Sequence, residues 1–289
     1  MVLPLSNGYA EGLHGVSCAS ESFCWAGGDF GLTVRWNGHT WSAPRPIGVG
    51  AIVIAVSCPS RAFCMAVDSN GDAIAFRHGA WGRAVHIDRP GGLGAVSCPS
   101  ASFCMAIGDT FGEPGPQFSY ALTFDGQRWS REQTVKDAGQ LDAVSCASPS
   151  FCVAVGYRRN ALTFDGQRWN SSRLDSGNGN LPVDSVSCPS TAFCVAVDDN
   201  GRAFEFDGHG WSRPRRIIHA GTGLFSVSCT PSRFCVAVSF YDAIEFDGRR
   251  WTKPDEVDPN GEMSSVSCPS ATFCAAVGMY GEALTYSAR

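Results

Sequence analysis

Residues 227–235 read VSCTPSRFC, and that phrase recurs along the chain. It appears as VSCASESFC at 16–24, VSCPSRAFC at 56–64, VSCPSASFC at 96–104 and VSCASPSFC at 144–152, then as VSCPSTAFC at 186–194 and VSCPSATFC at 266–274. Successive first cysteines are 40, 40, 48, 42, 41 and 39 residues apart. A period near 40 suits four short strands, as in a propeller blade, or the helices of a solenoid repeat. Each unit carries several Gly or Pro and none holds an apolar 3.6-residue period, which removes the helical reading.

Working outward from 227–235, the sixth unit reads as strand A at 226–229, a turn at 230–234, strand B at 235–239 and a short loop at 240–242. Strand C follows at 243–246, a turn at 247–250, and strand D at 251–257. Val, Phe and Ile fill the strands, while Pro-Ser and Asp-Gly fill the turns, as hairpins require. The spacing predicts an all-β, seven-bladed β-propeller of four antiparallel strands per blade, one domain over residues 1–289. The seventh unit stops after strand C at 283–286, and the N-terminus offers a lone apolar stretch, Val2 to Leu5. Pairing the two would complete the last blade and close the ring, removing the exposed edges that invite aggregation.

All fourteen cysteines fall into one Cys-x5-Cys pair per unit: Cys18/Cys24, Cys58/Cys64, Cys98/Cys104, Cys146/Cys152, Cys188/Cys194, Cys229/Cys235 and Cys268/Cys274. Structural zinc uses Cys-x2–4-Cys with a second half-site, and no such partner spacing occurs. Across an A–B hairpin the two cysteines face each other within disulfide reach, so one A–B disulfide per blade is expected. Disulfides on this scale place the protein in an oxidising compartment, secreted or on the extracytoplasmic side of a cell envelope. Residues 1–5, MVLPL, lack the basic region and apolar core of a signal peptide, so a trimmed or excised domain is expected.

The 289 residues are 44% hydrophobic and 17% charged, with net charge −5. That balance gives a nucleic-acid or anionic-membrane partner no electrostatic support. No apolar run approaches the ~18 residues of a membrane span, so direct membrane insertion is not expected.

The run VSCPSxxFCxAV followed by ALTFDGxRW resembles a repeat of extracytoplasmic proteins of actinobacteria. The repeat occurs in secreted proteins and in the outer portion of membrane-anchored, receptor-like serine/threonine kinases. The likeness covers nearly the whole chain and is specific in its cysteine spacing. It implies a propeller outside the cell, free-standing or tethered to a kinase or another domain, and no particular chemistry. The turns at 125–129, 165–169, 207–211 and 247–251, Asp-Gly-x-x-Trp, also resemble the Asp-box of sialidase propellers. They are one residue shorter between Asp and Trp, and Arg128, Arg168, Arg249 and Arg250 lie in these turns rather than at the opposite mouth. Sialidase activity is therefore not expected.

The repeat makes the two faces of the ring comparable. The A–B and C–D turns recur almost unchanged, and Trp41, Trp81, Trp129, Trp169, Trp211 and Trp251 hold one position. Such regularity fits packing that clamps the outer strand better than sugar platforms. The B–C loops on the other face differ blade by blade: 29–31 DFG, 68–72 DSNGD, a long insertion at 109–119, 157–160 YRRN, 198–202 DDNGR, 240–242 FYD and 279–282 MYGE. DSNGD and DDNGR lack the bidentate Glu of a calcium loop and read as Asn-Gly turns, so no metal site or cofactor is expected. Tyr157, Arg158, Phe240, Tyr241 and Tyr280 are the candidate ligand-binding side chains of these loops. Two residues before each Val of VSC, at the channel mouth, stand His14, Ile54, Gly94, Asp142, Asp184, Phe225 and Ser264. His14, Asp142, Asp184 and Phe225 complete the candidate binding set.

No nucleophile–base arrangement stands out, so a non-catalytic recognition or sensor module is the leading expectation, taking a glycan, a peptide or a small polar ligand. The alternatives are a structural spacer in the envelope and a polysaccharide hydrolase or lyase using carboxylates at the channel mouth.

Overall fold

The computed structural model describes residues 11–48, 50–88, 92–110, 118–174, 182–259 and 261–287. They form seven antiparallel sheets arranged as the blades of a propeller, with strands A, B and C in that order outward from the axis in every blade and a strand D beyond them in blades 1 to 6. In blade 1 these are Leu13–Ser20, Phe23–Gly28, Leu32–Trp36 and Arg45–Pro46. Blade 7 contributes Met263–Ser270, Phe273–Gly278 and Ala283–Ser287. The segment expected to complete it, Val2 to Leu5, lies outside the described residues.

Each blade holds the expected disulfide between strands A and B, with Cα atoms 3.9 to 4.1 Å apart. The sequence reading treats these bonds as staples of a hairpin and is silent on where the sulfurs lie. The structure bears the pairing out and adds the depth: the second cysteine of each pair is a core residue. Cys24, Cys64, Cys104, Cys152, Cys194 and Cys235 have no solvent exposure at all, and Cys274 is 4% exposed. Each sits on strand B, which is buried almost throughout, as in Phe63–Asp68 and Phe193–Asp198, because neighbouring blades cover both of its faces. None of these sulfurs can touch a ligand or meet a reductant while the blade is folded, so their part in the molecule is packing and cross-linking.

The cores therefore lie between blades. Phe193, Val195 and Val197 of blade 5 pack on Val227, Cys235, Ile244, Phe246 and Trp251 of blade 6. Leu13, Val16, Cys24, Val34 and Trp36 pack in the same way on Phe273, Ala275 and Val277 across the junction of blades 1 and 7. Cys64, Cys104, Cys152 and Cys194 hold the same place at the junctions that follow. The Phe before the second cysteine reaches the aromatic that ends strand C next door. Phe63–Phe124, Phe193–Phe246 and Trp36–Phe273 stack at 6.1 to 6.3 Å between centroids.

The Ser of VSC has a role of its own. Strand A is the innermost strand, so one edge of its backbone has no strand to pair with, and an unpaired buried amide is costly. The serine hydroxyl of each blade accepts a hydrogen bond from the first-cysteine N–H of the next. The donors and acceptors are Cys58 to Ser17, Cys98 to Ser57, Cys146 to Ser97, Cys188 to Ser145, Cys229 to Ser187, Cys268 to Ser228 and Cys18 to Ser267, each at 2.9 Å. This circle of seven links closes blade 7 onto blade 1. A second tier exists only where Ser precedes Val: Ser185, Ser226 and Ser265 accept from the N–H groups of Val227, Val266 and Val16.

The outer strands differ from the sequence reading. Strand D of blade 6, expected over residues 251–257, is a bridge between Phe246 and Trp251 followed by the short strand Asp255–Glu256. Two causes interrupt it. Pro254 has no N–H to give the ladder, and Thr252 turns both its N–H and its hydroxyl to the backbone of Glu245. Ser42, Ser130 and Ser212 repeat that double contact in blades 1, 3 and 5. Blade 4 has Asn170 after its Trp and keeps an unbroken strand D, Trp169–Arg173. The Trp residues pack: Trp41, Trp129, Trp169, Trp211 and Trp251 lie 5.1 to 5.7 Å from the aromatic that ends strand C of their own blade.

Candidate functional site

The B–C loops and the mouth-side ends of strand A share one face. In blades 2 and 5 the loops are Asp-initiated turns. Asp68 Oδ1 accepts the N–H groups of Asn70 and Asp72, and Asp198 Oδ1 those of Asn200 and Arg202. Gly71 and Gly201 sit at φ 78° and 71°, a conformation glycine adopts without strain. Asp198 also carries a 2.6 Å ion pair with Arg202. These carboxylates serve backbone and guanidinium donors, and among the described residues no His, Cys, Asp or Glu group is arranged to hold a metal ion.

Asp142 and Asp184 hold equivalent positions on adjacent innermost strands, in Leu141–Ser148 and Val183–Ser190. One oxygen of each, Oδ2, is shut off from solvent without a hydrogen-bond partner. Burial, then the charge of Asp109, pushes the Asp142 carboxyl up to about 7. For Asp184 burial leads again, followed by the charges of Asp199, Asp142 and Asp198, and the carboxyl rises to about 8. Near neutral pH Asp184 is therefore mostly protonated and Asp142 about half protonated, and a protonated carboxyl can donate a hydrogen bond. Both acids are displaced in the same direction, whereas acid–base hydrolysis needs two carboxyls with pKa values pushed apart.

His14 does not join them. It lies three blades from both Asp142 and Asp184 around the ring, and its Nε2 is 2.8 Å from Asp29 Oδ1 within its own blade. Asp29 Oδ2 in turn accepts the Gly12 N–H at 2.8 Å, so the histidine is part of a local brace at the start of blade 1. Ser264 is likewise structural, its hydroxyl donating to the Leu13 carbonyl of the neighbouring blade.

A second grouping is aromatic. Phe225, at the mouth of blade 6, packs 4.4 Å from Phe240 between ring centroids, and Phe240 meets Tyr241 at 6.1 Å. Tyr241 lies near Tyr280 of blade 7. The Tyr280 hydroxyl donates to Glu262 at 3.3 Å, and the Glu262 charge holds that phenol above its ordinary pKa. Met279 backs onto Gly12, and the exposed Phe30 continues the arc into blade 1. Tyr241, Met279, Tyr280 and Phe30 are 45%, 46%, 46% and 60% exposed, so blades 6, 7 and 1 present an apolar crescent to solvent. Tyr157 and Arg158 stand apart from it in blade 4, in a one-turn 3-10 segment where Arg158 takes φ 75° and its stem covers Gly139. Carboxyls on blades 3 to 5 thus lie across the channel mouth from aromatics on blades 6, 7 and 1.

No family model matches the chain, and neither does any curated relative. Solved structures do match it. The chain is similar to YCF48 bound to D1 peptide, with TM-score 0.73 and 16% identity over 100% of this chain and 94% of that one. It is similar to YCF48 from Cyanidioschyzon merolae, with TM-score 0.72 and 13% identity over 99% and 98% of the two chains. The RRP9 WD40 repeats match with TM-score 0.76 and 10% identity over 96% and 90%. At these identities the likeness is one of fold. The seven disulfides point to an oxidising, extracytoplasmic environment. Among the described residues no helix is long and apolar enough to cross a membrane.

Sequence reading singled out Asp142 and Asp184 but missed what surrounds them. Asp109 and Asp198 end strand B in blades 3 and 5, and Asp199 follows. Their signal was an acid closing FCxAV-type strands, visible as MAIGD and VAVDD.

Proposed function

We propose that this protein is a non-catalytic recognition module that binds a peptide segment of a partner protein on its B–C/D–A loop face. One observation carries the reading. On a scaffold whose other face repeats almost without change, this face presents an aromatic crescent (Phe225, Phe240, Tyr241, Tyr280, Phe30) across the channel mouth from two carboxyls of raised proton affinity. An extended peptide offers what such a surface takes up: apolar side chains for the rings and carbonyl oxygens for the acid protons. The similarity to a propeller bound to a peptide supports the same choice over a glycan or a small polar ligand. Secretion, and membership of the actinobacterial extracytoplasmic repeat type as a sensor domain, belong to this proposal and rest on the Cys-x5-Cys repeat and the disulfides.

A displayed random-peptide library panned against the whole chain tests the reading, with affinities of the selected peptides measured by fluorescence polarisation. Peptides should enrich, and Tyr241→Ala/Tyr280→Ala should weaken them at least ~tenfold, the loss expected of truncating central aromatic anchors. Arg168→Ala in a C–D turn should leave them unchanged. No enrichment, or peptides indifferent to Tyr241 and Tyr280, would refute the proposal.

A further inference from the structure

A groove of about 1040 Å³ runs along the flank of the ring between the outer strands of blades 2 and 3. Its origin is a local departure from the repeat. The residue before the aromatic that ends strand C is Arg35, Thr123, Thr163, Glu205, Glu245 and Thr285 in six blades, but Ala75 in blade 2. The residue after the strand-D Trp is Ser, Thr or Asn elsewhere, but Gly82 here. Both small residues line the groove. At the junction of blades 6 and 7, where Glu245 and Thr252 occupy these two places, the cavity is about 440 Å³.

The walls of the large groove are cationic on both sides. Blade 2 contributes Arg77 and Arg83, and blade 3 contributes Arg128 and Arg131. Among the described residues lining it, Glu132 is the one acid, in a protein of net charge −5. Arg77 is committed to the junction, donating to the Gly126 carbonyl at 2.8 Å and lying over the Phe63 ring at 5.0 Å. Arg83 and Arg131 are exposed, with no ion pair to a described carboxylate, and Arg128 stands 4.0 Å from Asp125. Phe124 and the half-buried Trp129 supply an apolar base.

We infer that this groove is a second binding site, distinct from the loop face, for an acidic polysaccharide chain bearing carboxylate or sulfate groups. Guanidinium groups pair bidentately with those oxyanions, and arginines on facing walls grip a chain lying lengthwise between them. The volume is at the upper end for small-molecule pockets, which suits several linked residues better than one ring.

The test is binding of the whole chain to polygalacturonate and to heparin, with dextran, polyglutamate and a single-stranded oligodeoxynucleotide as further probes. Both acidic polysaccharides should bind and dextran should not, with affinity falling as salt rises. Arg83→Ala/Arg131→Ala should weaken binding by at least ~tenfold, the scale of losing one or two charge-assisted contacts. Ala75→Glu installs the side chain that blades 5 and 6 already carry at this register, so it tests the groove without threatening the fold; it should cause a similar loss at unchanged melting temperature. Tyr241→Ala/Tyr280→Ala should not affect polysaccharide binding, which separates this site from the peptide face. The inference is overturned if neither acidic polysaccharide exceeds dextran, if the variants bind like the parent, or if polyglutamate or the oligonucleotide binds as tightly through the same residues.

Discussion

Replacing Ser187 with Ala tests why the phrase VSC is repeated. In the structure Ser187 Oγ accepts the Cys229 N–H at 2.9 Å across the junction of blades 5 and 6. The variant keeps strand A of both blades and removes only that acceptor. A hydrogen bond of this kind contributes about 1 kcal/mol net, and about 3 kcal/mol is lost if the amide stays unpaired away from water. With unfolding entropy near 2.1 cal/mol/K per residue, this corresponds to a drop in Tm of roughly 2–5 °C for a chain of this size. Calorimetry reads the drop, and amide hydrogen exchange locates it. The Cys229 amide should exchange faster, while the Cys188 amide, held by Ser145, should keep its protection. The converse change, Ala143→Ser, should add at blades 4 and 5 the second-tier contact that Ser185 makes to Val227 at the next junction. It should raise stability by about 0.5–1.5 kcal/mol. Gly15 is not a candidate for the same gain, because a Cβ there would lie 3.0 Å from the Ile54 carbonyl oxygen. Unchanged Tm and unchanged Cys229 exchange in Ser187→Ala would refute the idea that serine hydroxyls staple the inner ring.

Three further outcomes follow from the structure. Stability should rise and then fall with pH. Backbone N–H donors, led by those of Arg128, Arg168, Gly210 and Arg250, hold Asp125, Asp165, Asp207 and Asp247 below the usual carboxylate range, so their contribution is present above the unfolded pKa and is lost on acidification. Asp142 and Asp184 act oppositely. Raised mainly by burial from 3.8 to about 7 and about 8, they bind protons better in the folded state, and that stability is lost as pH climbs from about 4 through 8. Melting curves from pH 3 to 9 should show Asp142→Asn/Asp184→Asn flattening the decline and raising Tm at pH 8; an unaltered decline would contradict it. Removing one blade disulfide with Cys146→Ala/Cys152→Ala should cost at least about 2 kcal/mol for a loop of this length, measurable by urea titration. The Cys152 sulfur adds to that loss, since it fills space between blades that Ala would leave open. In the parent chain, thiol titration under denaturing, non-reducing conditions should find no free cysteine.

The repeat itself made the architecture readable. Seven copies of VSCxxxxFC at a period near 40 specify seven hairpins, and facing cysteines on adjacent strands can only be near one another, so blade number and disulfide pairing follow from local spacing. Their depth did not follow: Cys64 or Cys194 is sealed in only because the next blade covers strand B. Strand D was less readable, because whether residues after Trp continue the ladder depends on a Ser or Thr hydroxyl finding a strand-C amide, as at Thr252 and Glu245. The site was legible only as a face. Its residues come from different blades, so their grouping is set by the order of blades around the ring rather than by neighbourhood in sequence.

What the sequence determined alone rests on contacts within one blade: the hairpins of strands A to C, turn chemistry, the cysteine pairs and the Trp clamp. What only the tertiary structure decided lies between blades. It joined Asp142 to Asp184 and parted both from His14, gathered Phe225, Phe240, Tyr241 and Tyr280 into one surface, and opened the groove beside Ala75. The reason is physical. Within a blade, backbone pairing fixes which side chains meet, and its period is written in the chain. Between blades, contact depends on how whole sheets pack around the axis, and one small residue such as Ala75 or Gly82 changes that packing without any local sign.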